Sequence, residues 1–212
     1  MEWTNLLKWT LENVSNNNSF PISALDENQK QWLDEALKAS SLNSTSDMKQ
    51  LIHKLDKSVK DNSNKKESLN IIEELVTLTS NLDKDKNFGK LGGIYLLCEI
   101  GKNNLIDSEI REKSLSLLNE CTQNNLEGQD LMVKLKFWEF FSFVKDKSQS
   151  EKLNNRAISV ISSNLIGSKI ETKKIFFQNK GWKNLIEICK EDKNSFIILK
   201  SVLMITDIIQ TC

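Results

Sequence analysis

The chain is poor in every residue that breaks a helix. Its 212 residues include one proline, Pro21, and only seven glycines, which favours long helices joined by short turns. It has a single histidine, His53. One imidazole cannot complete a Cys/His zinc set, and no Ser–His–Asp or Cys–His pairing is legible around it. His53 stands beside Leu51, Ile52 and Leu55 and reads as an ordinary helical residue. The four cysteines, Cys98, Cys121, Cys189 and Cys212, show no CxxC or CxxxC spacing, so they read as free thiols of a reducing compartment. Charge of one sign is also missing. Twenty-nine basic and 29 acidic residues cancel, which leaves no basic excess for a nucleic acid. No apolar run reaches the length of a membrane span. The start, Met1-Glu2-Trp3-Thr4, has neither the basic opening nor the apolar core of a secretory signal. No GxGxxG or Walker loop is present, so no nucleotide phosphate is expected on this chain. The expectation is a cytoplasmic binding protein that is not an enzyme and uses no cofactor and no metal.

What is present is repetition. Apolar-rich helix openings begin at Ser68, Ser114, Ala157 and Ser201, at spacings of 46, 43 and 44 residues. A second helix pattern follows each of the first three, around Asn87-Phe88, Asp130-Leu131 and Ile175-Phe176-Phe177. A third pattern is led by Gly92-Gly93-Ile94, Phe137-Trp138 and Gly181-Trp182. Three helices per unit at this period describe an all-α, armadillo-like right-handed helical solenoid of about three repeats and a partial fourth. A solenoid offers a partner an extended surface.

The organisation reads as follows. Residues 1–26 form a short amphipathic helix and a flexible linker, and 27–66 a helical pair. Repeats occupy 67–106, 107–149 and 150–193, with a partial fourth at 194–212. The third helices supply a stacking core from Ile94, Leu96, Leu97 and Ile100, from Trp138, Phe140, Phe141 and Val144, and from Trp182, Leu185, Ile186 and Ile188. Asp107 is placed to cap the second repeat's first helix. Gly92-Gly93 and Gly181 mark the corner before the third helix, a corner the second repeat makes with Lys136-Phe137. The last helix, from about Ser195 to Gln210, is apolar nearly all round. Val202, Ile205, Ile208 and Ile209 are expected to leave it with an uncovered apolar surface.

Several of these motifs resemble one family in particular. Leu6-Leu7-Lys8-Trp9 resembles its opening motif, and Trp32-Leu33-Asp34-Glu35-Ala36-Leu37 the start of its helical domain. Asn81-Leu82-Asp83 followed by Leu91-Gly92-Gly93 resembles its first repeat. Gln123-Asn124-Asn125-Leu126 with Gln129 resembles its second, and Asn164-Leu165-Ile166 with Phe176-Phe177 its third. The family is that of the armadillo-type nucleotide exchange factors of heat-shock protein 70, typified by Fes-one and the heat-shock-protein-70-binding protein. The resemblance implies a co-chaperone that grips the chaperone's nucleotide-binding domain, favours its open cleft and promotes ADP release and client release. It implies partner contacts at Asp85, Gln123, Asn124, Asn164 and Lys200, and a client-mimicking N-terminus with Leu6, Leu7 and Trp9 as apolar handles. Two positions depart from the family pattern: Asp85 stands where a small residue is usual, and Gly167 where a basic one is common. The competing reading is a generic armadillo adaptor that binds an extended peptide, which would carry a ladder of Asn and Trp on its third helices. Oligomeric state stays open at this level.

Overall fold

The computed structural model describes residues 45–61, 64–79 and 87–211. Every regular element among them is helical. Ser44–Cys212 forms one compact unit. Helix α1 spans 45–61, α2 Lys65–Thr79, α3 Gly93–Lys102, α4 Ser108–Thr122 and α5 Leu126–Lys134. A 3-10 turn, Phe137–Phe140, leads into α6, Phe141–Lys145. Then come α7 at Glu151–Leu165, α8 at Ile170–Gln178, α9 at Gly181–Glu191 and α10 at Ser195–Thr211. The first helices of successive units, α2, α4, α7 and α10, stack neighbour on neighbour. The fold is an armadillo-like helical solenoid.

Local chemistry repeats with the same period. Asn64, Asp107, Ser150 and Asn194 each accept a hydrogen bond from a backbone N–H two or three residues on. They thereby satisfy donors that the first turn of a helix leaves free. Four residues before Asp107 and Ser150 and two before Asn194, Asn103, Asp146 and Asp192 accept from the N–H two residues ahead and turn the chain out of the third helix. Among the described residues a left-handed residue makes each remaining corner. Between first and second helices it is Asn124 at φ 58° and Gly167 at φ 68°. Between second and third helices it is Gly92 at φ 87°, Lys136 at φ 55° and Lys180 at φ 63°.

The corner glycines therefore need a correction. In the third repeat the left-handed residue is Lys180, and Gly181 has a different task. A Cβ on Gly181 would lie 2.4 Å from the Phe176 ring, and one on Gly93 would lie 2.2 Å from the Phe88 ring. Both glycines leave room for a phenylalanine on the preceding helix. The second repeat inverts the arrangement: Met132 replaces the ring and Phe137 replaces the glycine. All of Phe88, Met132, Phe137 and Phe176 are fully buried. Phe137 then stacks on Phe176 at 5.9 Å, so the displaced ring bridges two repeats.

The core runs continuously from Met48 and Leu55 on α1 to Met204 and Ile208 on α10. Of the third-helix residues expected to pack, Ile94, Leu97, Ile100, Phe140, Phe141, Val144, Leu185 and Ile188 are buried. Leu96, Trp138, Trp182 and Ile186 are half-buried. On α10 the exposed large apolar side chains are Phe196, Leu199, Val202, Leu203 and Ile209, whereas Ile208 is buried and Ile205 partly so. A helix packed on two sides hides one stripe of its surface, and Ile208 falls within that stripe.

Candidate binding face on the third helices

The third helices lie side by side, and one register position joins them. Lys102 closes α3 and Lys145 closes α6, 43 residues later. Lys102 Nζ donates to the Leu135 carbonyl and to Glu139 Oε2, both at 2.8 Å. Lys145 Nζ donates to Asn184 Oδ1 at 2.7 Å and to Glu187 Oε2 at 2.6 Å. Each lysine straps its helix to the third helix of the next unit. The Lys145 hydrogen bond holds the Glu187 carboxyl below its usual range, with the Lys145 and Lys183 charges adding to it. Lys102 also lies 5.5 Å over the Phe140 ring.

Between the straps is a groove of about 560 Å³, lined by Lys102, Trp138, Glu139, Phe141, Phe143 and Lys145 together with Ser142 and Asn184. Its apolar wall is aromatic and its rim is made of paired charges. Beneath it Arg111, itself buried, stacks over the Phe143 ring at 5.4 Å and donates to the Gly101 carbonyl and to Gln149. Such a face can seat an apolar side chain of a partner and offer charged hydrogen bonds around it. His53 is exposed on α1 and does not reach this face.

Among the described residues, those expected to touch a partner do not converge on one surface. Asn164 is fully buried, which corrects its assignment as a contact. Its Nδ2 donates to the Val160 carbonyl at 2.7 Å and to Thr122 Oγ1 at 3.2 Å, tying α7 to α4. Gln123 and Asn124 are exposed at the end of α4, where Asn124 forms the left-handed corner. Their neighbour Asn125 caps α5 by accepting from Gly128 N and donating to the Cys121 carbonyl. Gln129 is buried and donates to the Ser163 carbonyl of the next unit. Lys200 is half-exposed in the second turn of α10, with its Nζ 5.8 Å over the Phe196 ring. Since α10 starts beside the start of α7, through Asn194 to Asn155 at 2.9 Å, Lys200 lies toward the opposite end of the first-helix stack from Gln123. Asp85, Leu6, Leu7 and Trp9 lie outside the described residues.

Sequence reasoning passed over Lys102, Glu139, Lys145, Asn184 and Glu187. The available signal was the lysine that ends two successive third helices at one register.

No family model matches the chain, and no curated protein matches it. Among solved structures it is similar to computationally designed armadillo repeat proteins for modular peptide recognition. The TM-score is 0.59 at 12% identity, over 77% of this chain and 69% of that one. The likeness is one of fold. Among the described residues no helix is long and apolar enough to cross a membrane.

Proposed function

We propose that this chain is a protein-binding co-chaperone that grips the nucleotide-binding domain of heat-shock protein 70 and promotes ADP release without chemistry of its own. The observation that carries the binding reading is the aromatic groove across the third helices, rimmed by Lys102–Glu139 and Lys145–Glu187. The choice of partner rests on the sequence resemblance, above all Gln123-Asn124-Asn125 with Gln129. Exchange follows if the chain binds the open nucleotide cleft more tightly than the closed one, since only differential affinity shifts such an equilibrium. The alternative is a generic armadillo adaptor that binds an extended peptide, a reading that the fold it shares with proteins designed for modular peptide recognition supports. The described third helices carry one asparagine, Asn184, and it is engaged by Lys145.

Stopped-flow release of a fluorescent ADP analogue from purified heat-shock protein 70 tests the proposal. Saturating protein should accelerate release, and Trp138→Ala or Lys145→Glu should weaken the effect tenfold or more, as loss of a desolvated contact does. An unchanged release rate with retained binding would leave an adaptor. Absence of any binding would remove this partner.

A further inference from the structure

Where second helices turn into third helices, the solenoid carries lysine without acid. No Asp or Glu occurs from Asn87 to Cys98, from Leu131 to Trp138 or from Thr172 to Ile186. At these turns Lys90, Lys134, Lys136, Lys180 and Lys183 are exposed. Among the described residues the first four make no ion pair, and Lys183 has only Glu187 at 3.7 Å. The repeat register sets them in rows: Lys134 follows Lys90 by 44 residues, and Lys180 follows Lys136 by 44. The rows border the aromatic groove. Lys102 Nζ reaches the Leu135 carbonyl, between Lys134 and Lys136. Glu187, beside Lys183, takes Lys145.

The backbone adds a second observation. Lys136 and Lys180 have φ of 55° and 63° just beyond a helix end, at the register position where Gly92 stands at φ 87°. Glycine fills such a position most readily, because a side chain there crowds its own backbone. Two successive units thus hold lysine where glycine would cost the fold less, which points to a use for the charge. What lies between the lysines says which partner fits. Glu139 comes one turn after Lys136, and Glu187 one turn after Lys183. The unbroken negative charge of a nucleic acid strand would be repelled at each glutamate. A polypeptide can set carboxylates against the lysines, donors against the glutamates and one apolar side chain against Trp138 and Phe143 in the groove.

We infer that this lysine edge takes an acidic polypeptide segment of the partner, its carboxylates along Lys134, Lys136 and Lys180 and one apolar side chain seated in the groove. The inference rests on the reading of that groove as the partner-binding face. Fluorescence anisotropy of a labelled peptide, glutamates around a single leucine, titrated with the full chain, tests it. Binding should weaken steeply as salt is added. Lys136→Gly with Lys180→Gly should weaken it about fivefold, the effect of two exposed charge contacts, while the melting temperature holds or rises. Lys152→Ala, at the start of α7, should leave binding unchanged. Replacing the leucine by serine should abolish the sensitivity to Trp138→Ala and keep that to the lysine pair. Indifference of the leucine peptide to Trp138→Ala would remove the groove from the inference and overturn it as stated. A double glycine variant that binds the peptide and accelerates ADP release like the wild type would overturn the lysine edge and leave the co-chaperone reading standing. Peptide binding with the stated dependence but no binding of heat-shock protein 70 would remove that partner and uphold the edge. No peptide binding, or single-stranded DNA or phosphatidylserine vesicles bound as tightly as the peptide, would overturn the inference.

Discussion

At the scale of single residues, the buried polar side chains act as ties between repeats. Lys173 is 1% exposed, and its Nζ sits 2.6 Å from Asp207 and donates to Thr211 Oγ1. The same register position in the preceding unit is Gln129, which reaches Ser163. Removing one partner of a buried ion pair leaves the other charge uncompensated and costs far more than replacing both partners with apolar side chains of similar size. Lys173→Ala should therefore destabilise the fold by about 3 kcal/mol, and Lys173→Met combined with Asp207→Leu by clearly less, as read from urea unfolding. Asn125→Ala removes a helix cap and should cost about 1 kcal/mol. The motif Gln123-Asn124-Asn125 is in part explained by this geometry, because Asn tolerates the left-handed corner and caps well. Burial pushes the Cys98 thiol up to about 11. Only the thiolate reacts readily, so Cys98 should resist alkylation at pH 8 in the native protein and react once it is unfolded.

At the scale of elements, each junction between second and third helices balances one large ring against one empty position. Gly181→Ala drives a Cβ into the Phe176 ring and should destabilise by about 2 kcal/mol, the usual cost of overpacking. Combining it with Phe176→Leu should recover part of that loss, a coupling that a double-mutant cycle measures directly. In the second repeat the Met132–Phe137 pair already makes the opposite choice, and there the third helix begins as a 3-10 turn.

At the scale of the whole molecule, stability accumulates between neighbouring repeats, and acid should act at their junctions. Hydrogen bonds from the Ser148 and Gln149 side chains and from Ser148 N hold Asp146 down to about 2. Asp192 and Asp107 are pushed up by burial, but their bonds to Lys147 and to Lys65 and to nearby backbone N–H groups leave both below the usual range. A carboxyl depressed in the folded state contributes stability above its unfolded value, and this is lost as pH falls toward the folded one. The melting temperature should stay level from pH 7 to 5 and drop from about pH 4 to 2. Asp146→Asn should flatten that drop, with thermal melts at stepped pH as the measurement.

The sequence by itself determined the period, the all-helical class, the Asp107 cap and the apolarity of the last helix. All but the period, which recurs along the chain itself, depend on residues within a few positions of each other, where propensity, capping and spacing act. Only the tertiary structure decided which faces meet. It placed Asn164 inside, assigned the left-handed corner to Lys180 and the close approach to Gly181, and sorted α10 into a buried Ile208 and an exposed Ile209. It alone joined Lys102 to Glu139 and Lys145 to Glu187, 37 and 42 residues apart. Contacts at that separation follow from how one repeat is rotated against the next, and that rotation is set by the packing of whole helices.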